Sequence, residues 1–405
     1  MSLNSTTNSE RIHIGFFGLR NAGKSSLVNA VTGQDLAVVS KMKGTTTDPV
    51  KKAMELLPLG PVLIIDTPGL DDEGELGALR IKKTQNILSQ TDIAVLVVDA
   101  VQGLSQLDKE LLQLFQKRQL PYILVWNKVD LLQTAPTCQQ NEVCVSSITG
   151  DGIHRLKEML GALSKETVQE KHIVADLLEP GDVVVLVIPI DESAPKGRLI
   201  LPQQQTIRDI LEAGCTVVSC RDTELTQTLD TLKTKPKLVI TDSQAFGRVS
   251  KDVPQDILLT SFSILFVRYK GELRTLVQGA AKLSNLKEDD CVLISEGCTH
   301  HRQCGDIGTV KIPHWIEQFS KVTPQYTVTS GNDFPDQLKE YALIVHCGGC
   351  MLNEKEMKHR IQTAVDAVVP IVNYGIAIAQ MHGILKRSLE IFPDMLALLE
   401  ESFNL

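Results

Sequence analysis

Gly18-Leu19-Arg20-Asn21-Ala22-Gly23-Lys24-Ser25 decides how the first part of this chain folds. The octet has the form G-x-x-x-x-G-K-S. It follows an apolar run of strand length, Ile12–Phe17, and opens a segment of helical composition, Lys24–Thr32. A strand, a glycine-rich loop and a helix in that order aim backbone N–H groups and the positive end of a helix at one point, which suits phosphate. Gly18, Asn21, Ala22, Gly23, Lys24, Ser25 and its neighbour Ser26 form the expected cradle. The Lys24 ammonium is placed to reach the terminal phosphates of a nucleotide, and the Ser25 hydroxyl to bind Mg²⁺.

Working outward, three further strand ends carry matching chemistry. A run at 62–66 ends in Asp66-Thr67-Pro68-Gly69. The carboxylate there can hold Mg²⁺ through water, and Gly69 can offer its N–H to a γ-phosphate. Tyr122–Asn127 leads into Asn127-Lys128-Val129-Asp130. The Asp130 carboxylate can accept from the N1–H and exocyclic amine of guanine, a pair of donors that adenine lacks. A run at 142–146 ends in Ser146-Ser147, where a base-binding backbone is needed. The order and placement of these segments resemble the translation-factor-like GTPases over residues 10–165. Binding of GTP/GDP and hydrolysis of GTP are therefore expected, with Lys24, Thr46 and Gly69 in the catalytic roles.

Asn21 and the segment Gly44-Thr45-Thr46-Thr47-Asp48 resemble the branch of GTPases activated by K⁺ and by dimerisation of their GTPase domains. The resemblance implies that Asn21 helps hold K⁺. It implies Thr46 as the switch ligand of Mg²⁺, with Thr45 and Thr47 as near alternatives. Leu70 stands where Ras-like enzymes place a water-orienting Gln. An apolar side chain cannot position water, so slow intrinsic hydrolysis is expected.

The chain has 405 residues, enough for two to four domains. Hydrophobic residues are 43% and charged residues 22%, ordinary globular usage that excludes a low-complexity chain. No apolar run approaches the ~18–20 residues of a spanning helix. Residues 1–10 lack the basic and apolar regions of a secretory signal, so a reducing cytoplasmic setting is expected. The net charge of -8 and the aromatic content of 4% weigh against nucleic acid or an anionic membrane as partner.

No solenoid-type repeat is present. Strand-like runs alternate with helix-length amphipathic segments, the pattern of α/β domains with parallel sheets. The expected fold class is α/β in three domains: an N-terminal P-loop GTPase fold at 1–168, a second α/β domain at 175–262 and a third at 263–405. In the first, helices are expected at 75–89, 106–117 and 152–163. In the second, strands are expected at 182–190, 215–219 and 237–241, with helices at 203–213 and 223–232. In the third, strands are expected at 291–295, 325–329, 342–345 and 370–373, with helices at 272–285, 353–368 and 374–386.

Nine cysteines are too few and too dispersed for a disulfide scaffold. Three of them cluster with histidines, in Cys298-Thr299-His300-His301 and His346-Cys347-Gly348-Gly349-Cys350. Both segments follow predicted strands, and loops beyond the carboxyl ends of neighbouring strands can meet at one ligand site. Cys and His ligands at this spacing suit tetrahedral zinc. Three thiolates equally suit three corners of a [4Fe–4S] cube, leaving the fourth iron to a weaker ligand. The spacing leaves both open. Cys304 lies six residues beyond Cys298 with no telling spacing. Cys138, Cys144, Cys215, Cys220 and Cys291 read as small hydrophobes.

A GTPase and a Cys/His cluster on one chain resemble the GTPase scaffold of [FeFe]-hydrogenase maturation, the HydF family. The pattern C-x-H…H-C-x-x-C at Cys298, His300, His346, Cys347 and Cys350 carries the resemblance. So do the segments 44–49, 194–202 (APKGRLILP), 235–244 (KPKLVITDSQ) and 296–300 (EGCTH). It implies a K⁺-dependent GTPase, a homodimerisation domain and a [4Fe–4S] domain. It implies a scaffold that receives a diiron precursor built with radical-SAM maturases and delivers it to apo-[FeFe]-hydrogenase. Cys298, Cys347 and Cys350 become the cluster thiolates, and His300, His346 and Glu296 the candidates for the fourth iron. The middle domain, with its nearly continuous apolar run at 182–190, becomes the dimer interface. The alternative is a GTPase of tRNA modification or ribosome assembly with a structural zinc domain.

Overall fold

The computed structural model describes residues 8–33, 50–67, 84–167, 171–190, 199–297, 306–331, 333–335, 337–349 and 351–403. The chain divides into two compact units, Met1–Glu170 and Lys171–Leu405. Both are α/β, and each is built around mostly parallel sheet.

The first unit holds a six-stranded sheet of β1 (Ile12–Phe17), β2 (Val50–Leu56), β3 (Gly60–Asp66), β4 (Ile93–Asp99), β5 (Tyr122–Asn127) and β6 (Glu142–Cys144), in the order β2-β3-β1-β4-β5-β6. All pairs are parallel except β2 with β3. Side chains alternate across a strand, so a strand covered on both faces must be apolar throughout. β4 meets this demand, with all seven residues buried. Its Ile93, Val95 and Val97 join Ile14 and Phe16 against the helices Lys24–Thr32 and Ile153–Thr167. Ala94, Leu96 and Val98 face the other way, onto Phe17, Leu63 and the Leu111 and Phe115 of helix Gln106–Lys117. Each such buried Leu, Ile, Val or Phe contributes roughly 1.5–3 kcal/mol.

β2 is absent from the reading of the sequence, and its composition explains why. It is an edge strand with Val50, Lys51, Lys52, Ala53 and Glu55 exposed, so it carries no apolar signal. The expected helix at 75–89 falls mostly outside the described residues.

The second unit holds two four-stranded parallel sheets. β7 (Val183–Val187), β8 (Thr216–Cys220), β9 (Leu238–Thr241) and β10 (Leu258–Ser261) run in the order β10-β9-β7-β8. β11 (Cys291–Glu296), β12 (Gln325–Ser330), β13 (Leu343–His346) and β14 (Ile371–Asn373) run in the order β12-β11-β13-β14. The two sheets share one continuous hydrophobic core. β7 lies between β8 and β9 with four of its five residues fully buried. Core packing therefore accounts for its apolar run, which is no sign of an interface.

Strand β10 and the helices Phe246–Asp252, Phe262–Lys270, Ile312–Ser320 and Pro393–Phe403 were not expected. The helix expected at 374–386 stops at Met381, because Gly383 takes a left-handed φ of 73° before the short helix Leu385–Ser388. Among the described residues no helix is long and apolar enough to cross a membrane.

In the third sheet the chain runs from β11 outward to β12 and then returns to β13 on the other side of β11. β11 and β13 are neighbours at the point where strand order reverses, the place beyond whose carboxyl ends ligands collect in open α/β sheets. Glu296 and His346 are the last residues of these two strands.

Candidate nucleotide and cysteine sites

The loop after β1 is built around two positions that only glycine can fill. Gly18 has φ 138° and a Cβ there would lie 2.2 Å from the Val97 carbonyl oxygen. Gly23 has φ 91° and a Cβ would lie 2.3 Å from Asn127 Nδ2. Both distances are well inside contact, so the loop can adopt this path only with glycine. Asn21 takes φ 62°, a conformation that Asn tolerates better than most residues, and is exposed at the turn of the loop. Lys24 is buried and folds over the loop, donating to the carbonyls of Gly18 at 2.9 Å and Leu19 at 2.8 Å. Its ammonium thus stands directly over the phosphate cradle. Ser26 is half-buried in the first turn of the helix.

Ser25 Oγ donates to Asp66 Oδ2 at 2.8 Å. Asp66 Oδ1 is buried and has no hydrogen-bond partner among the described residues. Burial pushes the Asp66 carboxyl above its ordinary value, against the pull of the Ser25 hydrogen bond and the Lys24 charge. A buried carboxylate oxygen left bare beside a hydroxyl is a costly arrangement that a hard divalent cation relieves, so this pair fits Mg²⁺. The end of β3 is pinned by Thr67, whose Oγ1 donates to the Phe16 carbonyl at 2.7 Å.

Asn127 joins the phosphate loop to the base site. It is fully buried, its Nδ2 donates to the Ala22 carbonyl at 3.0 Å, and its Oδ1 accepts from the Ser147 amide at 3.2 Å. Lys128, at a left-handed φ of 65°, donates to Asp99 Oδ2 at 2.6 Å. Burial alone would raise the Asp99 carboxyl, but Lys128 and the Val101 amide outweigh it and hold it below the usual range. Asp130 is exposed on the short turn Val129–Leu131, open to a base. Ser146 is buried and its Oγ caps the next turn by accepting from the Ile148 and Thr149 amides at 3.3 and 3.1 Å. The residues proposed from sequence on four strand ends therefore converge on one edge of the sheet. Thr45, Thr46, Thr47, Gly69 and Leu70 lie outside the described residues.

The second candidate site lies beyond β11 and β13. Cys347 Sγ accepts from the Gly297 amide at 3.0 Å and from the Gly349 amide at 3.4 Å. Gly297 directly precedes Cys298 and Gly349 directly precedes Cys350. One sulfur thus draws together the backbones beside both other cysteines. Two N–H donors on one sulfur stabilise its thiolate, the form that ligates metal. Cys298, His300, His301, Cys304 and Cys350 lie outside the described residues. Among the described residues no group of three His, Cys, Asp or Glu is placed to hold a metal ion.

Glu296 is buried at the end of β11, and Tyr374 Oη donates to its Oε1 at 3.5 Å. Gly308 closes over this pair: a Cβ there would lie 2.4 Å from both Glu296 Oε1 and Tyr374 Oη. Burial, and then the negative charges of Cys347 and Glu296, push the Tyr374 hydroxyl well above its ordinary range, so it stays a donor.

His346 is fully buried with both ring nitrogens engaged. Nδ1 is 2.7 Å from the Cys347 carbonyl oxygen and Nε2 is 3.2 Å from Arg360 Nη1. Burial first, and the Arg360 charge second, push its pKa down to about 3. The neutral ring therefore donates from Nδ1 and accepts at Nε2. In this arrangement the one lone pair of His346, an expected candidate for the fourth iron, receives a guanidinium N–H.

Sequence reading missed Arg360. Its side chain is fully buried, pairs with Glu356 Oε1 at 3.0 Å, donates to the Gly331 carbonyl at 2.7 Å and lies over the Phe334 ring at 5.2 Å. The signal was present, since Glu356 and Arg360 are four apart on the helix Glu354–Asp366, in step with buried Met357, Ile361 and Ala364.

Three families match successive parts of the chain. Residues 13–128 match the family described as 50S ribosome-binding GTPase, 173–271 the hydrogen maturase F dimerization domain, and 274–391 the hydrogen maturase F tetramerization domain. The tRNA modification GTPase MnmE of Nitrosomonas europaea is 33% identical over 156 residues, covering 37% of this chain and 34% of that protein. The MnmE of Chromobacterium violaceum is 36% identical over 161 residues, covering 38% of this chain and 35% of that protein. The chain thus spans about a third of the length of these relatives. Among solved structures, a probable GTP-binding protein engB is 24% identical with a TM-score of 0.32, covering 38% of this chain and 99% of that one. The G domain of the T. maritima FeoB iron transporter is 24% identical with a TM-score of 0.30, covering 40% of this chain and 100% of that one.

Proposed function

From a chain that belongs with the HydF-like hydrogenase maturase GTPases, with a GTPase domain and two self-association domains, we propose a GTP-hydrolysing scaffold and carrier for [FeFe]-hydrogenase maturation. Its cargo is a diiron precursor, received from radical-SAM maturases and delivered to the apo-hydrogenase in the cytoplasm. In this reading 1–168 is the GTPase domain, 175–262 the homodimerisation domain and 263–405 the domain that binds a [4Fe–4S] cluster. The similarity to the tRNA modification GTPases extends over 37–38% of the chain in the two relatives described, whereas the maturase dimerization and tetramerization domains match 173–271 and 274–391.

The observation that carries this reading is the Cys347 sulfur, which accepts the amides that precede Cys298 and Cys350. Those three residues would supply the thiolates. When bound, the cluster would offer an iron with a replaceable ligand, a point of attachment for cargo. The chain's own groups do the rest. Gly297 and Gly349 donate their amides to the Cys347 sulfur. Glu296, kept in place by Tyr374, is the described carboxylate nearest in sequence to Cys298 and remains the candidate for the fourth iron together with His300.

In the GTPase domain the loop amides and Lys24 would hold the β- and γ-phosphates, Ser25 and Thr46 would hold Mg²⁺ directly, and Asp66 would do so through water. Mg²⁺ neutralises phosphate charge in the transition state. Gly69 would meet the γ-phosphate, Asp130 would read guanine, and Ser146 and Ser147 would cover the base. Asn21, exposed at the turn of the loop, would hold K⁺.

The test is the iron and sulfide content and visible spectrum of anaerobically reconstituted protein. A brown protein that loses its colour in Cys347→Ser, with GTP hydrolysis retained, is expected. A colourless zinc protein would establish the tRNA-modification or ribosome-assembly alternative instead.

A further inference from the structure

We propose that Cys138 and Cys144 form a reversible dithiol–disulfide site, whose substrate is a small-molecule disulfide of the glutathione type and whose closure slows guanine-nucleotide release. The two sulfurs are 2.9 Å apart. Read from sequence, each is an isolated small hydrophobe; the structure makes them a pair. A disulfide bond is about 2.05 Å long, so closure needs a movement of under about 1 Å. Both residues are half-buried, so a small disulfide can reach them.

The position gives the pair its consequence. Cys144 ends β6 in register with Trp126, and the Val145 amide donates to the Trp126 carbonyl at 2.8 Å. It is two residues before Ser146. Cys138 lies on the irregular segment that follows Asp130 and the turn Val129–Leu131. Both thiols point to the Pro136 carbonyl, Cys144 Sγ at 3.4 Å and Cys138 Sγ at 3.8 Å. A bond between them would tie the stretch that reads guanine to the strand that covers it. The strand is fixed by the sheet, so the loop makes the movement. A cross-linked loop is already ordered when nucleotide binds, and preorganisation shows chiefly in slower dissociation.

The chemistry balances. Burial, and then the neighbouring Cys138, push the Cys144 thiol up to about 12; Cys138, on the loop that makes the movement, opens the reaction. Its thiolate attacks one sulfur of the small disulfide and expels the other half as a thiolate, leaving a mixed disulfide. Cys144 sulfur then attacks the Cys138 sulfur and expels the second half. Two protein thiols lose two electrons and two protons, and one small disulfide becomes two thiols.

The experiment uses the full-length protein, titrated anaerobically with oxidised glutathione, alkylated with iodoacetamide and mapped by peptide mass. Release of a fluorescent GDP is timed in each form. We expect a linked Cys138–Cys144 peptide, release slowed about threefold or more, reversal by dithiothreitol, and no slowing in Cys138→Ser. Cys144→Ser should stop at a glutathione adduct on Cys138. The proposal fails if both cysteines remain separately alkylated, or if either pairs with another cysteine of the chain. It also fails if release is equal in the two forms, or if Cys138→Ser is slowed as much as wild type.

Discussion

Replacing Arg360 with Leu should be the most damaging single change to the second unit outside its apolar core. The guanidinium side chain is 0% exposed and its partner Glu356 6% exposed, so the pair is held away from water. Removing one member of a buried pair costs about 3–5 kcal/mol. The Gly331 carbonyl and His346 Nε2 lose their donor at the same time. For a unit spanning Lys171–Leu405, each kcal/mol is worth about 2–4 °C. The expected fall in Tm is therefore about 6–20 °C. The two tryptophans allow the units to be followed separately, since Trp126 lies in the first and Trp315 in the second. Urea unfolding in a Trp126→Phe background then reports the second unit. The double variant Arg360→Leu/Glu356→Leu removes both charges and should recover at least half of the loss, because an apolar pair of similar volume has nothing left to solvate. If Arg360→Leu unfolds within about 1 kcal/mol of the parent, or the double variant is no better than the single, the pair is solvated and the reasoning is wrong.

In metal-free protein, stability of the second unit should fall with pH below about 6.5, where an unfolded His takes up a proton that native His346, at about 3, refuses. The contribution is complete above 6.5 and is lost toward acid by up to about 1.4 kcal/mol per pH unit; His346→Gln should flatten the urea midpoint between pH 7.5 and 5, and an unchanged slope would contradict the assignment. Asn127→Ala strands the Ala22 carbonyl and the Ser147 amide, so GDP affinity by calorimetry should drop about tenfold or more. Asp130→Asn should erode the preference for GTP over ATP in competition binding, and intact discrimination would show that another group reads guanine. GTP turnover should be slow and faster in K⁺ than in Na⁺, with Asn21→Ala removing the difference; equal rates in both salts for the parent would remove Asn21 from any cation site.

How far the sequence reveals this molecule depends on whether the information is local. The phosphate loop is legible because its demands fall on adjacent residues: Gly18 and Gly23 must be glycine for reasons of backbone conformation and close approach, and both stand inside one octet. β4 is legible because burial on two faces leaves an unbroken apolar run. β2 is not, because an edge strand exposes most of its side chains and takes its identity from pairing with β3. The same contrast runs through the cysteine site. The C-x-x-C spacing announces itself, but the reason Cys347 can serve lies in the Gly297 amide, fifty residues away in sequence and brought near only because β11 and β13 are neighbours. His346 shows the limit most sharply. Its place next to Cys347 makes it a natural ligand on paper. The fold instead spends its lone pair on Arg360, fourteen residues on, and its N–H on the Cys347 carbonyl. A histidine used in this way fixes the direction of the loop that carries the thiolate. Its replacement should therefore loosen the geometry of Cys347 before it changes the chemistry of any iron, and a ligand would do the reverse.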